Sequence, residues 1–231
     1  FLPNDSRSDF MVLIHSSRFM ACWKRSAASY QLSAYFSSST RLSQALAAEI
    51  GEQAIFVRTD VTGEAAVKTA VATTISTFGE LRGAISCAGI VHGERLVGRD
   101  GPHDLARFRK ILEVNAVGTF NMLRFAAEAM MANEPIDSER GILINTASVA
   151  GLFTCHPSAL YHLSKQAVVS LSEQLQHDLR LRGAPIGVSV LCPGFVNTRI
   201  MDAERNPFSR QREAQIREEM REYDREKNPV D

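Results

Sequence analysis

From Arg41 onward the chain alternates between helical patterns and short, wholly apolar runs, and this alternation limits its fold more than any other feature. Arg41 to Ile50 reads as an alanine- and leucine-rich helix stopped by Gly51, a residue suited to a helix C-terminus. Gln53 to Arg58 (QAIFVR) is a strand-like run ending at Thr59-Asp60, and Glu64 to Phe78 is a helix closed by Gly79. Leu81 to Cys87 is again strand-like and runs into Ala88-Gly89. Phe108 to Met131 is the longest helical pattern, with Ile111, Leu112, Val114, Phe120 and Leu123 as its apolar positions. Gly141 to Asn145 (GILIN) predicts a strand leading to Ser148. Ser158 to Leu181 predicts a helix, with Leu160, Leu163, Ala167, Leu171, Leu175 and Leu179 at three- and four-residue steps. Ile186 to Cys192 (IGVSVLC) is a last strand, stopped by Pro193-Gly194. Apolar strands separated by helices imply a parallel sheet covered on both faces, a doubly wound α/β domain.

A chain of 231 residues with 45% hydrophobic content can bury one sizeable core, so the expectation is a single domain over residues 1–231. Its formal net charge of zero argues against nucleic acid or an anionic membrane as the main partner. Cys22, Cys87, Cys155 and Cys192 form no C-x-x-C pair, which fits buried thiols in a reducing, cytoplasmic setting rather than a disulfide frame. The six histidines show no ligand spacing, so no metal site is expected, and His162 reads as a surface or lining residue. No apolar stretch approaches the length of a membrane span, and Asp5 and Asp9 are wrong for a signal peptide's basic start.

Doubly wound sheets bind ligands beyond the carboxyl ends of their strands. At those ends this chain places Asp60, Ala88-Gly89, Ser148 and Pro193-Gly194, the small, polar and turn-forming residues that a ligand crevice needs. Tyr161 and Lys165 stand at i and i+4 on the following helix and so share a face. An ammonium beside a phenol favours the phenolate, and a tyrosine tuned toward neutral pH can exchange a proton with a substrate hydroxyl or carbonyl. Ser148, directly after a buried strand, is placed to hydrogen-bond the same oxygen. A Y-x-x-x-K pair alone is an ordinary helix surface pair; Ser148 in I-N-T-A-S upstream makes the combination a candidate catalytic site.

In chain order, Cys87-Ala-Gly89, Asn115-Ala-Val-Gly118, Ser148, Tyr161-His-Leu-Ser-Lys165 and Pro193-Gly-Phe-Val-Asn-Thr198 resemble the motif series of short-chain dehydrogenases/reductases. The likeness runs from about Arg41 to Met201. It implies a Rossmann-like fold, NAD or NADP as cofactor, and interconversion of a secondary alcohol and a ketone by hydride transfer. It also implies Tyr161 as acid/base, Ser148 as the group orienting the substrate oxygen, and Lys165 on the nicotinamide-ribose hydroxyls. Asn115 would hold a water in a proton relay through Lys165, or be an ordinary helix asparagine. Asp60 and Val61 would contact the adenine side, although Asp60 alone could cap the next helix. Ala88 and Gly89 would lie along the cofactor, with Pro193, Gly194 and Val196 facing the nicotinamide and Thr198 near its amide or the phosphates. The long helices around Leu112 to Met131 and Ser158 to Leu181 commonly pack between subunits in this family, which implies a homo-oligomer, a dimer or tetramer. Cys87 stands where the family usually has asparagine. Leu81 to Ala150 resembles short-chain 3-hydroxyacyl-CoA dehydrogenases, whereas Gly183 to Arg199 resembles broad-range bacterial members, so the substrate is left open.

Both ends depart from the pattern. The family's phosphate turn, T-G-x-x-x-G-x-G, uses glycines for close backbone approach at a helix N-terminus. This chain has no glycine before Gly51, and residues 15–22 read HSSRFMAC. The spacing to Thr40-Arg41 is nonetheless that of the family, which suggests a segment at residues 15–39 translated in a shifted frame. The rival account is a divergent phosphate loop, charged by Arg18, Lys24 and Arg25. Residues 203–231 read as a charged helical tail with a thin apolar stripe at Ile216, Met220 and Tyr223, and no run follows that would supply the family's final strand. The domain is therefore expected to be incomplete at both ends. The alternative function is a catalytically inactive or cofactor-deficient member acting as a binding or oligomerisation module.

Overall fold

The computed structural model describes residues 40–91, 93–98, 101–154 and 159–194. Helix α1 (Thr40–Ile50) runs into a 3-10 turn at Gly51–Gln53. Gly51 takes φ +79°, the left-handed backbone that glycine adopts without strain. Helix α2 (Glu64–Phe78) closes as the sequence predicts: Gly79, at φ +87°, donates its N–H to the Ile75 carbonyl.

Gln53 to Arg58 is a correction. The run pairs with no described strand, and extended backbone becomes a sheet only where a neighbour supplies the opposing N–H and C=O groups. The predicted strand at Leu81 to Cys87 is realised as β1 (Gly83–Ser86). Residues beyond it add a small antiparallel hairpin, β2 (Val97–Gly98) with β3 (Gly101–Pro102), that the sequence patterns do not announce.

The single helix expected over Phe108 to Met131 is three segments. Helix α3 (Leu105–Leu112) starts on Asp104, whose carboxylate accepts from the Arg107 N–H at 2.8 Å. A π-helical turn at Glu113–Val117 follows, then α4 (Gly118–Met131). The π turn inserts a wider loop of backbone into a helix, a distortion that recurs at functional sites. Strand β4 (Gly141–Thr146), a 3-10 turn (Val149–Gly151), α5 (Ala159–Leu181) and β5 (Ile186–Leu191) complete the described chain.

Strands β1, β4 and β5 form one parallel sheet in that order, and the intervening helices pack on it. The register pairs Ser86 with Asn145 and Thr146 with Leu191, so three strands end level. The core is the apolar interior between sheet and helices: Val67 and Val71 of α2, Leu123, Ala126 and Met130 of α4, Leu143 of β4, Leu179 of α5 and Ile186 of β5. Two apolar positions of the long helices, Phe120 and Leu163, are exposed instead, at 46% and 44%. No helix of the described residues is long and apolar enough to cross a membrane.

Candidate active site

The level strand ends bring Cys87, Ser148 and Cys192 to one edge of the sheet, and α5 crosses behind them with Tyr161 and Lys165. Two polar ties set the height of α5. Asn145 Nδ2 donates to Ser172 Oγ at 2.9 Å, and Lys165 Nζ donates to the Thr146 carbonyl at 2.9 Å. The Ser148 loop is held against the end of β5 by Ala147 N–H to Leu191 O at 2.8 Å and Val149 N–H to Pro193 O at 3.0 Å. Gly151 lets this turn pack against α5: a Cβ there would lie 2.8 Å from the Lys165 carbonyl oxygen.

Ser148 caps the 3-10 turn, its Oγ accepting from the Ala150 N–H at 3.2 Å, and its hydroxyl favours the Tyr161 phenolate. Burial pushes the Tyr161 phenol above its ordinary value, and the Ser148 contact pulls only partly the other way. This reverses the direction that the lysine neighbour predicts. Burial is the larger influence; Nζ lies 5.7 Å from the phenol ring centroid and is bonded to Thr146. Lys165 is itself held down to about 8 by burial, which outweighs the opposing pull of Cys87 and Cys192. Cys87 stays raised by burial, although Thr146 Oγ1 donates to its sulfur at 3.4 Å and Lys165 favours its thiolate. Both Cys87 and Cys192 are unpaired thiols.

Asn115 sits in the π turn with no exposed surface. Its Oδ1 accepts from the Ile90 N–H at 2.8 Å, and its Nδ2 donates to Ile90 O and to Ser164 Oγ, each at 2.9 Å. Both amide hydrogens are therefore engaged, and what Asn115 retains for a water is acceptor capacity. The amide clamps the segment after β1 onto α5, since Ser164 Oγ in turn donates to the Tyr161 carbonyl at 2.8 Å. Gly89 lies in the angle between these groups; a Cβ on it would sit 3.4 Å from Lys165 Nζ and 3.5 Å from Asn115 Oδ1.

Asp60 does not cap α2, whose N-cap is Gly63. It closes its own turn instead, Oδ1 accepting from Thr62 N at 3.0 Å and Thr62 Oγ1 at 2.8 Å. Val61 is 2% exposed, with its carbonyl bonded to Asn121 Nδ2. Ala88 and Gly89 lie at the end of β1, and Pro193 and Gly194 at the end of β5. Val196 and Thr198, the stretch at residues 15–39 and the tail at 203–231 lie outside the described residues. His162 is buried at 3%, which rules out the surface half of its reading, and no group of three metal-ligating side chains occurs among the described residues. Sequence reasoning passed over Thr146, Ser164 and Asn121, none of which differs in the text from an ordinary strand or helix residue.

A family model of short chain dehydrogenases matches residues 23–208. The 3-hydroxyacyl-CoA dehydrogenase type-2 of Drosophila melanogaster is 37% identical over 161 residues, 68% of this chain and 62% of the relative. A short chain dehydrogenase/reductase from Burkholderia phymatum, solved in complex with NAD, aligns at TM-score 0.64 and 35% identity, covering 72% of this chain and 56% of that one. The 3-hydroxyacyl-CoA dehydrogenase type-2 from Mycobacterium avium aligns at TM-score 0.65 and 34% identity, covering 71% and 64%. The chain thus spans about three fifths of the length of the curated relatives it matches. Parallel sheet, serine at a strand end, tyrosine and lysine on one helix face and a family match over most of the length agree: this chain belongs to the short chain dehydrogenase family.

Proposed function

We propose that this chain carries the catalytic centre of an NAD- or NADP-dependent oxidoreductase that interconverts a secondary alcohol and a ketone. The observation that carries the reading is the Lys165 ammonium. It is 4% exposed, held at about 8 and bonded to one carbonyl, with no carboxylate beside it among the described residues. A buried cation with spare donors at a strand-end crevice is costly for folding alone and suited to binding acceptors.

The residues present fit a nicotinamide dinucleotide at this end. Lys165 would donate to the ribose hydroxyls, and the missing Cβ of Gly89 leaves room beside it. Ala88, Pro193 and Gly194 would line the ring, with Val196 and Thr198 beyond them, and Asp60 and Val61 would meet the adenine. When bound, the nicotinamide supplies the hydride acceptor or donor. Tyr161 Oη would take the alcohol proton in oxidation and return it in reduction. Ser148 would hold the substrate oxygen by a hydrogen bond and keep it within reach of Tyr161. Asn115 would keep the segment after β1 and the first turn of α5 in fixed relation, and its remaining acceptor capacity suits a relay water leading to Lys165.

NAD is supported by the Burkholderia phymatum relative, and a 3-hydroxyacyl-CoA substrate by the names of the fly and mycobacterial relatives. We also read the chain as one domain in a cytoplasmic homo-oligomer, which the unpaired thiols and the exposed Phe120 and Leu163 support. Fluorescence titration with NADH and NADPH tests the function, followed by NAD reduction with 3-hydroxyacyl-CoA thioesters and simple secondary alcohols. Binding and turnover are expected; no binding at millimolar cofactor would overturn the reading in favour of a non-catalytic module.

A further inference from the structure

We infer that Asn121 is a positioning residue for the adenosine end of the dinucleotide, acting through the backbone of Val61. The inference rests on the proposed function, which puts Asp60 and Val61 beside the adenine. Asn121 is 4% exposed on α4, and its Nδ2 donates to the Val61 carbonyl at 2.9 Å. Its Oδ1 accepts from Arg124 Nη2 at 3.0 Å, and Arg124 pairs with Glu64 in the first turn of α2 at 2.7 Å. The guanidinium cannot accept a hydrogen bond, so it orients the amide with oxygen toward Arg124 and nitrogen toward Val61.

One turn earlier on the same helix, Gly118 completes the grip. A Cβ on Gly118 would lie 2.5 Å from Val61 Cγ2, so the missing side chain is what lets Val61 pack against the helix. α4 therefore holds Val61 by side chain and carbonyl together, with the Asp60–Thr62 turn between this anchor and the start of α2. The Asp60 carboxylate, tied to Thr62 through Oδ1, is thereby held in a fixed place beside the anchor. The π turn that runs into this helix also carries Asn115, which bonds Ser164 at the Tyr161 end.

Asn121→Asp tests the inference with little change of shape. The carboxylate keeps Arg124 as a partner but presents an acceptor to the Val61 carbonyl. Calorimetric titration with ADP-ribose, which lacks the nicotinamide, is expected to show affinity weakened about tenfold, about 1.4 kcal/mol. NADH should weaken to the same degree, while kcat at saturating cofactor stays within about twofold, because only an interaction confined to cofactor binding is lost. Arg124→Met, which releases the amide without touching Val61, is expected to weaken ADP-ribose by about threefold, a smaller factor than direct loss of the bond. It serves if the first variant does not fold. Unchanged ADP-ribose affinity in the folded variants, or a kcat loss as large as the affinity loss, overturns the inference and leaves the proposed function standing. Failure of the unmodified chain to bind ADP-ribose, NADH and NADPH overturns both.

Discussion

Lys165 Nζ reaches back from α5 to the main-chain oxygen of Thr146, 2.9 Å away at the last residue of β4. Thr146 Oγ1 meanwhile donates to Cys87 on the neighbouring strand end, so one residue links the site's cation to its half-buried thiol. Burial dominates the neighbouring Tyr161 phenol and raises its pKa, with Ser148 pulling the other way.

Lys165→Met should stabilise the fold while abolishing turnover. A folded-state value of about 8, against 10.5 for the exposed group, means that folding disfavours the charged form. Below pH 8 both states are protonated and the penalty is complete; as pH rises from about 8 to 10.5 the folded chain sheds its proton first and the penalty disappears. After the lost Thr146 bond is subtracted, the variant should gain roughly 1 to 3 kcal/mol at pH 7. Denaturant unfolding across pH 7 to 10.5 checks this, and a gain that fails to shrink over that range contradicts the buried-ammonium account.

Tyr161→Phe should lower kcat by about 10³-fold or more, the scale of a lost acid/base group, with cofactor affinity and melting temperature little changed. Because burial raises the phenol, the protonated form dominates at neutral pH, and oxidation of an alcohol should accelerate as pH climbs above 7. Steady-state rates in both directions test the point. A pH-independent oxidation rate would remove Tyr161 from the base role.

Asn115→Leu leaves the Ile90 N–H and C=O without their partner and removes the donor to Ser164 Oγ, which keeps its own bond to the Tyr161 carbonyl. Orphaned buried polar groups make this a destabilisation of about 2 to 4 kcal/mol. Thermal unfolding should show it, and hydrogen exchange should show the Ile90 amide losing protection ahead of the β4 amides.

Gly151→Ala would set a methyl 2.8 Å from the Lys165 carbonyl, against helix backbone that cannot rotate aside. Separation of the Ser148 turn from α5 should cost about 1 to 3 kcal/mol and lower kcat more than it raises KM. A variant with unchanged kcat and stability would show that the turn has slack.

Much of the architecture was legible because strand and helix patterns are local. Glu64–Phe78 and its Gly79 stop, the strand leading to Ser148 and the helix bearing Tyr161 and Lys165 all stand where periodicity places them. The readings that failed depend on partners distant in the chain. Gln53 to Arg58 needs a neighbouring strand, the π turn at Glu113–Val117 interrupts a helix that the apolar pattern leaves continuous, and the burial of His162 depends on what packs over it.

The sequence by itself determined the family and the parallel α/β plan and singled out Ser148, Tyr161 and Lys165 as the candidate site, because side-chain spacing on a helix and placement at strand ends follow from local order. Only the tertiary structure decided how those groups are tuned. Burial, which no single segment controls, raises Tyr161 and lowers Lys165; the carbonyl of Thr146, nineteen residues upstream of Lys165, takes the ammonium. The grip of Gly118 and Asn121 on Val61 likewise exists only once α4 packs beside that turn.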